Sequence, residues 1–392
     1  MATTIPAKST GAKSKGLLAL LAAGFILTGI PTVIVGPILP VFISRWSLSD
    51  TQAGLFFTVQ FTAALCGVWI TTALTSRHGY RPSLVIGYLL TGAGLAALNA
   101  PTHVLALVAT GVFGVGYGMV VPPTNLSAAE AGGASMVSLL NFAWGIGAVA
   151  CSPLILLALR HHFLTSFLGM VASGALVLAA CFFFVEFPVD VHARTPESAG
   201  TRSAAPAIGI TVAVSALFFT YVGTETSIGG WAAEDTKRLA GHASSLTTMA
   251  PLFFYAGLML GRGAAPLALK RLGEFRLVLS ALALDVLGVL LIIGANSPRV
   301  AIAGLAIAGL GCASIYPIYI SWFSQWYGAA ARRLGGVVFS TASLGASALP
   351  WLVGFISTHT ESLRVGLLVP LAGCFVMLGL LAFLRRRGLE FR

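Results

Sequence analysis

The sequence predicts an all-α membrane protein of twelve transmembrane helices in two pseudo-symmetric six-helix bundles. Three observations carry that expectation. The chain of 392 residues is 57% hydrophobic and only 9% charged, more apolar surface than a water-soluble fold of this length can bury. The apolar residues gather into twelve runs, each of about 18 residues or more, the length a helix needs to cross a bilayer. The basic residues, which bring the formal net charge to +11, sit at the ends of those runs and form no single patch. That pattern speaks for membrane topology and against nucleic-acid binding.

In chain order the runs cover 16–44, 50–76, 82–100, 104–127, 134–159, 163–187, 208–232, 244–269, 275–295, 299–326, 335–357 and 363–384. No small-residue cleavage site follows the first, so it reads as a span and not as a removable signal. The polar stretch over 188–207, with Pro188, Pro196 and Pro206, reads as a flexible cytoplasmic linker between bundles over 1–187 and 208–392. An even number of spans puts both termini on one side. The loops and tails on that side hold sixteen Lys and Arg, among them Lys13, Arg77, Arg81, Arg271 and Arg385, against six on the other. Positive charge stays inside, so the termini are expected in the cytoplasm and the chain in the plasma (inner) membrane, as a monomer. The five cysteines lie singly within apolar runs, with neither disulfide nor metal spacing, and read as small fillers.

The halves echo each other. Arg77-His-Gly79 after span two matches Arg271-Leu-Gly273 after span eight, each with a further Arg (Arg81, Arg276). Span four has Gly116 and Pro122, span ten Gly311 and Pro317; span five has Gly147 and Pro153, span eleven Gly345 and Pro350. Internal repeats of this kind mark transporters, whose sites lie near the bilayer midplane where helices are broken. Pro122-Pro123 and Pro317 are therefore expected to break spans four and ten as paired gating elements.

The residue that draws most attention is Glu225, mid-run in Tyr221-Val-Gly-Thr-Glu225. A carboxylate at membrane depth marks a functional site by default, and Gly229-Gly230 beyond it offers a place to bend. Gln60, Asn125 and Asn141 supply amides suited to hydroxyl groups, with interhelical bonding as the plain alternative. Trp144, Tyr316 and Tyr319 offer faces on which the apolar side of a ring can stack, and the Tyr221 hydroxyl can bond Glu225 or a polar solute. Trp322, Trp326 and Trp351, near span ends, read as an interfacial belt. Trp231 is left between packing and capping the cavity. Arg262 reads as snorkelling to the inner surface. The cavity inventory is thus short of fixed charge, which argues against anionic substrates. No nucleophile–base pair or metal cluster points to an enzyme, and no cofactor is expected beyond a coupled H+ or Na+.

Thr72–Arg81 keeps Leu74, Arg77, Gly79 and Arg81 of the loop marker Gly-x-Leu-x-Asp-Arg-x-Gly-Arg-Arg, with Thr72 for Gly and Ser76 for Asp. In this the chain resembles the major facilitator superfamily. Tyr221–Glu225, the stretch from Ser138 to Ala148 and Asn125 are similar to its fucose permease-like branch. The resemblance implies alternating access, with Arg77, Gly79, Arg81, Pro122, Arg271 and Pro317 as gating residues. It also implies that span nine is peripheral, so that Asp285 turns toward Tyr255 of span eight as a second candidate for ion coupling. The branch's proton-handling acids of spans one and four are replaced here by Gly36 and Val121, which leaves Glu225 as the best carrier if protons are coupled, with another ion or no coupling as the alternatives. The expected activity is movement of a neutral hexose-like sugar. Efflux of apolar or cationic compounds is the same-class alternative, and a non-transporting receptor or scaffold the alternative from another class.

Overall fold

The computed structural model describes residues 10–185, 208–327, 331–389 and 391; the expected linker lies outside them. Among the described residues every regular element is a helix. Eleven helices are long and apolar enough to cross a membrane. The expected third span is the helix Tyr80–Ala97, of 18 residues, or about 27 Å. Its first turn, Tyr80-Arg81-Pro82, dilutes its apolar character and leaves it out of the eleven.

Spans four and five form one helical run, His103–Arg160. Asn141 Nδ2 nevertheless lies 3.4 Å from Asn125 Oδ1, residues that a straight helix would hold about 24 Å apart. The run folds back, and its two arms, His103–Ala128 and Leu139–Arg160, are the two spans.

Proline, which has no N–H to give to the carbonyl four residues earlier, leaves a different mark in three spans. Span one is interrupted at Ile34, between Thr10–Val33 and Val35–Trp46, where Pro37 withholds a donor from Val33. Span ten is interrupted at Ala313-Ser314, between Pro298–Cys312 and Ile315–Tyr327, where Pro317 withholds one from Ala313. The expected break at Pro122-Pro123 does not occur, and span four runs on as helix. The Met119 carbonyl, deprived of its donor by Pro123, takes the Thr71 hydroxyl of span two at 3.0 Å instead. A neighbouring helix that supplies the missing hydrogen bond makes proline tolerable at membrane depth.

The internal repeat survives in the packing. Gly79 and Gly273 both have φ 72° and join spans two to three and eight to nine, a conformation that penalises any side chain. A Cβ on Gly116 would strike backbone atoms of Gly87 and Thr91 in span three, and one on Gly311 those of Ala281 and Asp285 in span nine. Gly147 lies against the Ile26 carbonyl of span one as Gly345 lies against the Phe219 carbonyl of span seven. Corresponding glycines thus serve corresponding helix contacts. Between the two sets of spans, two packs on eleven, five on eight and one on seven.

Candidate functional site

Consecutive spans run in opposite directions, so the turns after spans one, three, five, seven, nine and eleven share one end. That end is latched. Arg238, in the last turn of Ile208–Ala240, grips Asp50, in the first turn of Asp50–His78, with two prongs of 2.8 and 2.5 Å. Its Nε also donates to Glu234 at 2.8 Å, and Ser357 of span eleven donates to Asp50 at 2.5 Å. The acid sits at a helix N-terminus and the base at a helix C-terminus, where each is favoured by the backbone dipoles. Lys237 reaches the Pro40 carbonyl and Ser44 of span one at 3.3 and 3.1 Å, and Arg160 bonds Ser245 across spans five and eight at 2.6 Å. A cavity of about 400 Å³ lined by Pro37, Val41, Lys237 and Thr247 opens at this end, away from Glu225.

Gly229-Gly230 belongs to the same closure. The expected bend is absent, and the helix runs unbroken from Ile208 to Ala240. A Cβ on Gly36 of span one would come within 3.1–3.3 Å of the backbone of this glycine pair. Missing side chains here allow close approach. The residues expected to gate lie at the other end: Arg77, Arg81 and Arg271 are exposed, and Arg81 lies 5.2 Å over Phe183 of its own half. Among the described residues, no hydrogen bond between the halves involves them.

Between the ends, at mid-span, the structure gathers a polar cluster. Glu225 accepts from Tyr221 one helical turn away, and the same hydroxyl lies 2.9 Å from the Cys312 carbonyl at the span-ten break. Tyr316, just past the break, stacks on Tyr221 at 5.8 Å and 27°. From the other half, Trp144 donates to Thr32 at 3.2 Å, and Tyr117 of span four is half-buried. Arg262 of span eight crosses to Trp144, its guanidinium carbon 5.7 Å from the ring centroid, and its Nε is buried without an acceptor. It turns toward Trp144 of the other half instead of snorkelling, which sets a fixed charge beside the cluster where none was expected.

The remaining candidates have partners of their own. Gln60 is fully buried and donates to the Pro31 and Thr32 carbonyls at 3.2 and 3.0 Å, serving the break in span one. Asn125 and Asn141 bond to each other and to the carbonyls of Val121 and Val137 in their own helices. Tyr319 is buried behind Tyr221 and stacks on Trp322, itself fully buried where an interfacial belt was expected, as Trp326 stacks on it in turn. Trp231 is also buried and donates to the Pro350 carbonyl at 2.9 Å. Asp285 turns toward spans ten and twelve, not toward Tyr255: its Oδ2 takes the Cys312 and Cys374 thiols at 3.5 and 3.4 Å, while Oδ1 has no partner. Two cysteines expected as fillers thus serve a buried acid.

A family profile described as Major Facilitator Superfamily matches residues 21–291. The chain belongs to the Major Facilitator Superfamily. The glucose/mannose transporter GlcP of Bacillus subtilis (strain 168) is 20% identical over 94% of both chains. The fold is that of the D-xylose–proton symporter, at TM-score 0.75 and 15% identity over 94% of this chain and 96% of that one. It is also that of the transporter FucP in its outward conformation, at TM-score 0.63 and 16% identity over 95% and 99%. This facilitator is a carrier and not an enzyme.

Several parts of its site escaped the sequence reading: Asp50, Glu234, Arg238, Tyr117, Thr32 and the inward turn of Arg262. Two signals were present. Ser49-x-x-Gln52 is a capping box that marks Asp50 as a helix first turn, and Glu234 stands four residues before Arg238, the spacing of a helical ion pair.

Proposed function

We propose that this facilitator moves a hexose-sized sugar by alternating access, with a proton carried on Glu225. One observation supports the proton above all. The Tyr221 hydroxyl has a single hydrogen but faces two acceptors, Glu225 and the Cys312 carbonyl. Both bonds are satisfied when Glu225 is itself protonated and donates. Deprotonation draws the Tyr221 hydrogen to Glu225 and leaves the carbonyl at the span-ten break bare. The charge of one residue is thereby tied to the geometry of a broken helix, which is what coupling requires. Na+ has no such role in the hydrogen count.

The aromatic faces of Trp144 and Tyr316 and the hydroxyls of Tyr117 and Thr32 suit a sugar ring, as does the similarity to a glucose/mannose transporter. Arg262 in the cleft disfavours the alternative of a cationic efflux substrate. The positive-inside rule favours cytoplasmic termini in a plasma-membrane protein, and with them the latched end faces outward, which supports a conformation closed to the outside.

The test is uptake into proteoliposomes under an imposed pH gradient. Glu225→Gln, which holds the carboxyl position neutral, abolishes acid-driven accumulation of hexose while exchange across equal pH persists in part. Wild-type uptake falls as the pH on the substrate side rises, because the protonated form is the one that loads. Equal driven uptake in mutant and wild type removes Glu225 from coupling.

A further inference from the structure

Among the described residues Arg262 is a cation without a counter-ion. Among the described residues all the ion pairs are at the latched end, and Glu225 is engaged by Tyr221. The side chain is half-buried, its Nε is sealed from water without an acceptor, and its guanidinium carbon lies 5.7 Å from the ring centroid of Trp144 in the opposite half. The ring it meets is the one that donates to Thr32 of span one, so the charge stands beside the mid-span cluster. A cation–π contact uses none of the N–H donors of a guanidinium, and their planar fork matches the two oxygens of a carboxylate.

We infer that the cleft is built for a sugar acid, an aldonate or uronate whose single carboxylate is taken by Arg262 while its ring or chain lies against Trp144 and Tyr316. The inference rests on the sugar-transport reading and narrows it. With Glu225 protonated, the cleft carries one uncompensated positive charge. One carboxylate neutralises it, so that anion and proton load together with no net charge left in a low-dielectric site. A phosphate ester, with about two negative charges at neutral pH, would leave one unmatched. A neutral hexose leaves the guanidinium as bare as before.

The experiment compares D-glucuronate, D-gluconate and D-glucose on the purified full chain, by tryptophan fluorescence and by competition for uptake in proteoliposomes. Wild type prefers the acids over glucose by about tenfold to a hundredfold, the range of a charge-assisted hydrogen bond. In Arg262→Gln the ratio collapses toward one, and in Arg262→Lys, which keeps the charge without the fork, it is intermediate. Native protein supplies an arm independent of mutant folding: phenylglyoxal modifies Arg262, read by peptide mass, and glucuronate protects it while glucose does not. Binding of glucose with no preference for the acids, or a preference that survives Arg262→Gln, overturns the inference and leaves the sugar reading standing. If neither the acids nor glucose binds, both fall.

Discussion

Arg238→Gln tests the latch, and its effect can be sized from the contacts. Asp50 is 8% exposed and Glu234 3%, and Arg238 neutralises both while bonding Asp50 twice. Removing one partner of a buried pair costs ~3–5 kcal/mol, because the other charge is stranded. Arg238 is itself 37% exposed, and water at its guanidinium brings the expected loss down to about 1–3 kcal/mol. That is about a 5- to 150-fold shift in the balance between closed and open at this end. Spin labels at positions 47 and 361, both exposed, report it by double electron–electron resonance, in a background lacking the exposed Cys66 and Cys181. The mutant shows a second, longer distance at the expense of the short one. Asp50→Asn in the same chain restores part of the short distance, since one stranded carboxylate is gone. A distance distribution unchanged by Arg238→Gln would refute the latch.

Gln60→Leu leaves the Pro31 and Thr32 carbonyls of span one without their amide and destabilises the fold by about 1–3 kcal/mol; a lowered thermal midpoint in detergent, with solute affinity unchanged, separates this role from direct binding. Gly345→Ala drives a methyl into the Phe219 carbonyl and costs about 1–3 kcal/mol as overpacking. Gly336→Ala, where a Cβ meets nothing within 4 Å, is the control, and equal melting of the two variants would count against the repeat contact.

The fold was legible because bilayer thickness imposes a length on every apolar run, and because repeats leave paired glycines whose positions need no structure to find. Glu225 was legible for a related reason, as a charge at mid-span stands out by depth alone. What depth does not reveal is the direction in which a side chain leaves its helix. Arg262 has the same depth whether it faces lipid, water or Trp144, and only the packing of span eight on span five decides. Asp285 was found for its burial but assigned the wrong neighbour for the same reason. Asp50 and Arg238 escaped because charges at span ends are abundant and their partner lies 188 positions away in the chain. The prolines of spans four and ten look alike in sequence, and a single hydroxyl, that of Thr71, distinguishes the helix that continues from the one that stops.

Cys312 holds the end of one helical segment in two directions. Its main-chain oxygen hangs from the tyrosine that senses the mid-span acid, while its sulfur is anchored to Asp285, which also holds Cys374 of span twelve. A rearrangement of Tyr221 is therefore felt by the outer wall of this half as well as by its lining. Spans nine, ten and twelve are yoked at one residue, and under the proposed proton coupling a change of charge at Glu225 becomes a tug on helices outside the cluster.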